Sequence, residues 1–138
     1  MNKIINSKTI FKKICTDSKE HADKKKQDPS IRMLISGDFG KKKKLELDKF
    51  ETFIRDKLNT ELEDERLKIK SSIGESTLSY IPWVIIGIPR EGENSLKASK
   101  GRFVAICFSH DGKGAVAGFA MAASDKNNQK YKPEVIKR

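Results

Sequence analysis

The stretch Gly101-Arg102-Phe103-Val104-Ala105-Ile106-Cys107-Phe108-Ser109-His110-Asp111-Gly112-Lys113-Gly114-Ala115-Val116-Ala117-Gly118-Phe119-Ala120-Met121 decides the fold. Phe103 to Phe108 is a continuous apolar run of strand length, rich in aromatic and β-branched side chains. His110 to Gly114 is hairpin-turn chemistry, since Asp-Gly and Gly accept the left-handed backbone that a tight reversal needs. Ala115 to Met121 then returns as a second strand, made mostly of small residues. The same glycines, Gly112, Gly114 and Gly118, could instead form a pyrophosphate-binding turn, but that turn requires a helix and a second parallel strand after it. No apolar strand follows Gly118, so the hairpin reading is preferred.

Working back from the hairpin, Arg90 to Lys100 is polar and contains Gly92, as an exposed loop would. Trp83 to Ile88 is an apolar run opened by Pro82 and reads as a buried strand. Leu67, Ile69 and Ser71 alternate with Lys68 and Lys70, a strand with one wet face, and Gly74 ends it.

The first half of the chain is helical in style. Leu47, Phe50, Ile54, Leu58 and Leu62 recur every three or four residues and predict a helix over about 46–65. Ser7 can cap an earlier helix whose apolar face is Ile10, Phe11, Ile14 and Cys15. His21 to Gln27 reads as a solvated helix end or a loop, and Asp28-Pro29-Ser30 as a break. Ile31 to Ile35 is a short apolar run closed by Gly37-Asp38-Phe39-Gly40, which reads as a turn, and Lys41 to Lys44 as a solvated lead-in. Helices followed by a meander predict an α+β fold: N-terminal helices, then a mostly antiparallel sheet or partly open barrel. The predicted organisation is a basic helical or flexible region over 1–45, a core over 46–123 and a basic polar tail over 124–138.

The chain has 138 residues, 36% apolar and 35% charged, with net charge +10. That is one domain with a modest core, too short for a TIM barrel or a kinase. The excess of cations admits a polyanionic partner without requiring one. No apolar run approaches the roughly 20 residues of a membrane span, and no signal peptide is recognisable. The expectation is a cytoplasmic protein with reduced thiols at Cys15 and Cys107 and no membrane partner.

Few residues are arranged for catalysis. His21 and His110 lack zinc-ligand spacing, and no Walker A pattern or nucleophile elbow occurs. Asp111-Gly112-Lys113 matches half of a metal-dependent nuclease site, which also needs an upstream carboxylate such as Glu75, Glu91 or Glu93. No catalytic residue, metal or cofactor is therefore assigned, and a nuclease using Asp111 and Lys113 remains an alternative. A module that docks a protein partner on the 46–65 helix is another. The remaining signal is aromatic: Ser79-Tyr80-Ile81-Pro82-Trp83, where Trp83 is either a core residue or a stacking platform for an unpaired base.

With these residues in view, the region from Leu67 to Ala123 resembles the N-terminal DNA-recognition domain of McrB-type, modification-dependent restriction enzymes. The matching features are Ser72-Ile73-Gly74 after a strand, Ile81-Pro82-Trp83 opening an apolar strand, and a polar loop. Gly101-Arg102-Phe103 then leads a strand ending in Phe108-Ser109, followed by an Asp-Gly turn and a last strand. Glu75 and Ser76 depart from the family, which often has a second Gly or an aromatic residue there. The resemblance implies binding of double-stranded DNA carrying a modified cytosine, with that base flipped into an aromatic-walled pocket. It also implies that cutting is left to a GTPase motor and a nuclease subunit, neither of them in this chain, which would then be a shortened relative.

By this resemblance Trp83 and Phe103 are pocket aromatics. Cys107 faces the same pocket, four residues after Phe103 on one strand face, with Tyr80 beside them. Lys68, Lys70, Lys97, Lys100, Arg102 and Lys113 flank these loops as phosphate-binding candidates.

Overall fold

A computed structural model of the chain describes residues 7–62 and 64–122. It contains helices α1 (Ser7–Gln27) and α2 (Asp38–Glu61), then strands β1 (Lys68–Gly74), β2 (Leu78–Gly87), β3 (Arg102–Phe108) and β4 (Ala115–Met121). The strands pair in chain order, each antiparallel to the next, in one sheet curled into an open half-barrel. The architecture is α+β, as the order of helical and strand patterns predicts.

The period-two alternation of the strands sorts their side chains onto two faces. Ile69 and Ile73 of β1, Val84 of β2, Ile106 and Phe108 of β3 and Ala115 of β4 point to the helices. Against them pack Ile10, Phe11, Ile14 and Cys15 of α1 and Leu47, Phe50 and Ile54 of α2. Phe108 is the centre: its ring lies 5.4 Å from both Phe11 and Phe50, tilted or edge-on to each, the geometry that aromatic quadrupoles prefer. α2 lies along β1 while α1 crosses α2, β2 and β3.

Several expectations for the first half are corrected. Asp38-Phe39-Gly40 is not a turn but the first turn of α2, with Gly37 at its N-cap, so the proposed boundary between 45 and 46 cuts through a helix. Within residues 7–45, Ile10, Ile14 and Cys15 are core residues, and Leu34 bridges to Thr77 beside the sheet. Finally, His21 and Lys43 are buried rather than solvated. They belong to a polar layer between the helices, with Asp17, Ser18 and Glu46. Lys42 pairs with Asp17 at 3.3 Å, and Glu46 takes Lys13 and Lys49 at 3.2 Å each. Charged residues that periodicity assigns to a wet face are thus enclosed because a second helix covers that face. α2 also ends at Glu61, short of the predicted 65. The tail over 124–138 lies outside the described residues.

The hairpin at 109–114 closes as its sequence predicts. Gly112 has φ +74, and an added Cβ would come within 2.5 Å of the Cys15 carbonyl oxygen and 2.7 Å of Lys19 Cβ. Glycine is needed there twice over, for the backbone angle and for the close approach of the turn to α1. Asp111 accepts from the Ser109 hydroxyl at 2.7 Å and from the Lys113 backbone N–H at 3.0 Å. These bonds favour the carboxylate and hold its pKa below the ordinary aspartate value.

Candidate nucleic-acid interface

Pro82 sets the orientation of the candidate site. It is fully buried on the helix side, near Ile14, Leu47 and Ile73, so the next residue must point the other way. Trp83 is therefore on the face that the helices do not cover. Its register partner is Cys107, and Cys107 is opposite Val116 on β4. One row further along the same face stand Lys70, Ile85, Ala105 and Gly118. The third row is Lys68, Gly87, Phe103 and Ala120.

Three of the four aromatic-pocket candidates thus share one face. Trp83, Phe103 and Cys107 are all half-buried. The side chain of Tyr80, the fourth, lies outside the described residues. Trp83 and Phe103 stand two rows apart, four residues or about 13 Å along the strands. That spacing is too wide for both rings to sandwich one base, and it makes them successive positions on a surface.

The loop between β2 and β3 folds over the same face. Leu96 is buried, and its Cδ2 would lie 3.5 Å from a Cβ placed on Gly87, which would also meet the Arg102 carbonyl oxygen at 3.2 Å and Phe103 Cβ at 3.3 Å. The missing side chain at Gly87 makes room for Leu96 beside Phe103. Ile85, central on this face, is only 2% exposed. The face is therefore a partly roofed apolar surface with Trp83 at one end and Phe103 at the other. Leu96 escapes sequence reading because nothing in a polar loop tells which residue turns inward.

The six candidate phosphate ligands do not form one cluster. Lys68 and Lys70 are exposed on β1, on the Trp83 face. Lys97 and Lys100 lie in the β2–β3 loop, at the Phe103 end, and share Glu93 at 3.7 Å each. Arg102 starts β3 opposite Met121 and lines a shallow depression with Phe119 and Ala120. Lys113 is at the other end of the sheet, in the hairpin against α1, where Lys19, Lys25, Lys26 and His110 line a broad depression of about 640 Å³.

Of the carboxylates that could serve the nuclease alternative, Glu75 lies between β1 and β2, and Asp23 of α1 lines the same depression as Asp111. Glu91 and Glu93 belong to the loop at the far end of the sheet from Asp111, and Asp111 is engaged in its own turn. No group of three His, Cys, Asp or Glu side chains converges among the described residues. Cys15, near Asp111, has its thiol pKa raised, by burial first and then by that carboxylate. No helix of the described residues is long and apolar enough to cross a membrane. No protein-family model, curated protein or solved structure matches the chain.

Proposed function

We propose that the protein is a DNA-binding recognition module without catalytic activity of its own, which reads a modified cytosine in double-stranded DNA through the Trp83 face of its sheet. Cutting would then belong to a partner, a GTPase motor or a nuclease subunit, as in the McrB-type systems that the sequence resembles. One observation carries the reading: Trp83, Cys107 and Phe103 share a face with Lys68 and Lys70. A half-open tryptophan beside lysines is suited to stacking a base while neighbouring ammonium groups hold phosphates. Trp83, with Cys107 directly across, is the stacking position for an extruded base. Phe103 makes a second contact further along.

Base stacking on an aromatic side chain is worth about 1–3 kcal/mol, and the extruded base costs a few kcal/mol to unpair. Trp83→Ala should therefore cost about 5- to 150-fold in affinity. The test uses the single tryptophan as its own probe. Duplexes with unmodified and modified cytosine are titrated against intrinsic fluorescence at low salt, with single-stranded DNA and RNA as controls. Quenching strongest with the modified duplex and weakening steeply with salt is the expected result, and the affinity lost in Trp83→Ala is read from the anisotropy of end-labelled duplexes, since that variant has no tryptophan. No binding to any nucleic acid at low salt overturns the proposal and favours a protein partner.

A further inference from the structure

The two outer strands of the sheet are built to opposite rules. β1 carries Lys68 and Lys70, and its register shifts between Ser72 and Gly74. Charges and bulges are the devices that keep an edge from pairing with a stranger. β4 has neither. Ala115-Val116-Ala117-Gly118-Phe119-Ala120-Met121 contains no charge and no proline, and it pairs with β3 residue for residue over its whole length. It is an outer strand of the sheet among the described residues. Its large side chains are open: Phe119 is 95% exposed, Val116 75% and Met121 44%. An apolar, unbroken edge of this kind is a template for another strand.

We propose that β4 is a self-association edge: two copies of the chain pair β4 to β4, antiparallel, about a two-fold axis at Gly118, joining two four-stranded sheets into one. The strand is self-complementary about that residue. Antiparallel pairing centred on Gly118 sets Ala115 opposite Met121, Val116 opposite Ala120, Ala117 opposite Phe119, and Gly118 opposite itself. Each large side chain meets a small one, and each contact occurs twice, as an isologous interface demands. This centre is also the one that pairs all seven residues of the strand. Phe119 would lie across the partner's Ala117 on the helix side of the joined sheet, and Val116 across the partner's Ala120 on the other.

Charge points to the same edge. Each copy carries +10, so two copies repel over most of their surface. The β4 edge brings no ionised side chain opposite another. Among the described residues, α1 and α2 pack chiefly over β1, β2 and β3. Seven residues of ladder make an interface below the roughly 1,200–2,000 Å² of a standard stable complex, so the dimer should be reversible. Because the repulsion is between like charges, added salt should tighten it, whereas salt weakens DNA binding. In the pair, a two-fold axis normal to the sheet presents both Trp83 faces on the same side.

The test is sedimentation equilibrium of the full chain over micromolar to near-millimolar concentration, at low and high salt. The expected result is a monomer–dimer equilibrium, tighter at high salt, that Phe119→Lys shifts at least tenfold toward monomer without altering the circular dichroism. Val116→Lys, on the opposite face of the same strand, should do the same. In a Cys107→Ser background, Gly118→Cys should be cross-linked by mild oxidation into a single dimeric species, as the register through Gly118 requires. A monomer at every concentration overturns the proposal, as does a dimer that both lysine variants leave intact. Hydrogen exchange adds a check: β4 amides protected in a monomer would mean that the same chain covers the edge, which also overturns it.

Discussion

On the helix side of the sheet Val84 and Phe108 are fully buried beneath α1 and α2, while on the other side, one residue away along the same strands, Trp83 and Cys107 stay half-open. Both faces are apolar, so hydropathy does not separate them. What separates them is cover. The helix side is filled by ten or so interlocking side chains around Phe108, whereas the other side has a loop leaning over Ile85 and leaves the aromatic ends accessible. The proposed DNA contact rests on this partly uncovered apolar surface beside lysines.

Substitutions on the two faces should therefore diverge. The largest loss is expected for Phe108→Ala, which empties the centre of the aromatic cluster and should cost about 3–5 kcal/mol, read as a fall in denaturation midpoint. Trp83→Ala removes a larger side chain but should cost less stability than Phe108→Ala while weakening the binding of end-labelled DNA, read by anisotropy. If Trp83→Ala proves the more destabilising, the faces are alike and Trp83 is a core residue.

Gly112→Val tests how firmly the hairpin is seated on α1. Strain at φ +74 and contact with Cys15 and Lys19 should together cost on the order of 2–4 kcal/mol, measured by urea unfolding. A loss below 1 kcal/mol would mean that the turn and the helix do not depend on each other.

The polar layer between the helices adds a pH dependence to stability. The His21 pKa is lowered from 6.5 to about 4, by burial first and then by Lys43 and Lys25. Between these two values the unfolded chain binds a proton that the folded chain refuses. Stability from this group is complete above pH 6.5 and declines as pH falls toward 4, by at most about 3 kcal/mol. Denaturation of the parent and His21→Gln at pH 7 and pH 4.5 checks it: the gap between the two should close at the lower pH. The smallest effect on stability belongs to Lys68→Glu with Lys70→Glu, exposed on the Trp83 side, which should stay within about 0.5 kcal/mol. The same pair should weaken DNA binding and flatten its salt dependence.

Much of the sheet was legible because strands advertise themselves locally. The Asp-Gly turn and the alternation of Lys68 with Ile69 each involve neighbours in sequence and match an observed boundary to within a few residues, whereas Pro82, read as the entry to a strand at Trp83, lies inside β2, which starts at Leu78. The pairing of Trp83, Cys107 and Phe103 on one face follows from the same period for the two β3 residues, but Trp83 needed the β2–β3 register. The helices were read less well. Periodicity found the apolar stripe of α2 but not its start at Asp38, because Gly37 and Gly40 look like a turn until the preceding segment is seen beneath them. His21 and Lys43 looked solvated because one helix taken alone has an outside.

Local chemistry thus settled the kinds of element, their order and which side chains alternate, because those depend on interactions a few residues long. Cover was decided by the fold: which apolar face the helices enclose, which charges they trap, that Leu96 folds over Gly87, and that β4 is an outer strand among the described residues. Those depend on contacts between segments far apart in the chain, and no periodicity within a segment encodes what will lie on top of it.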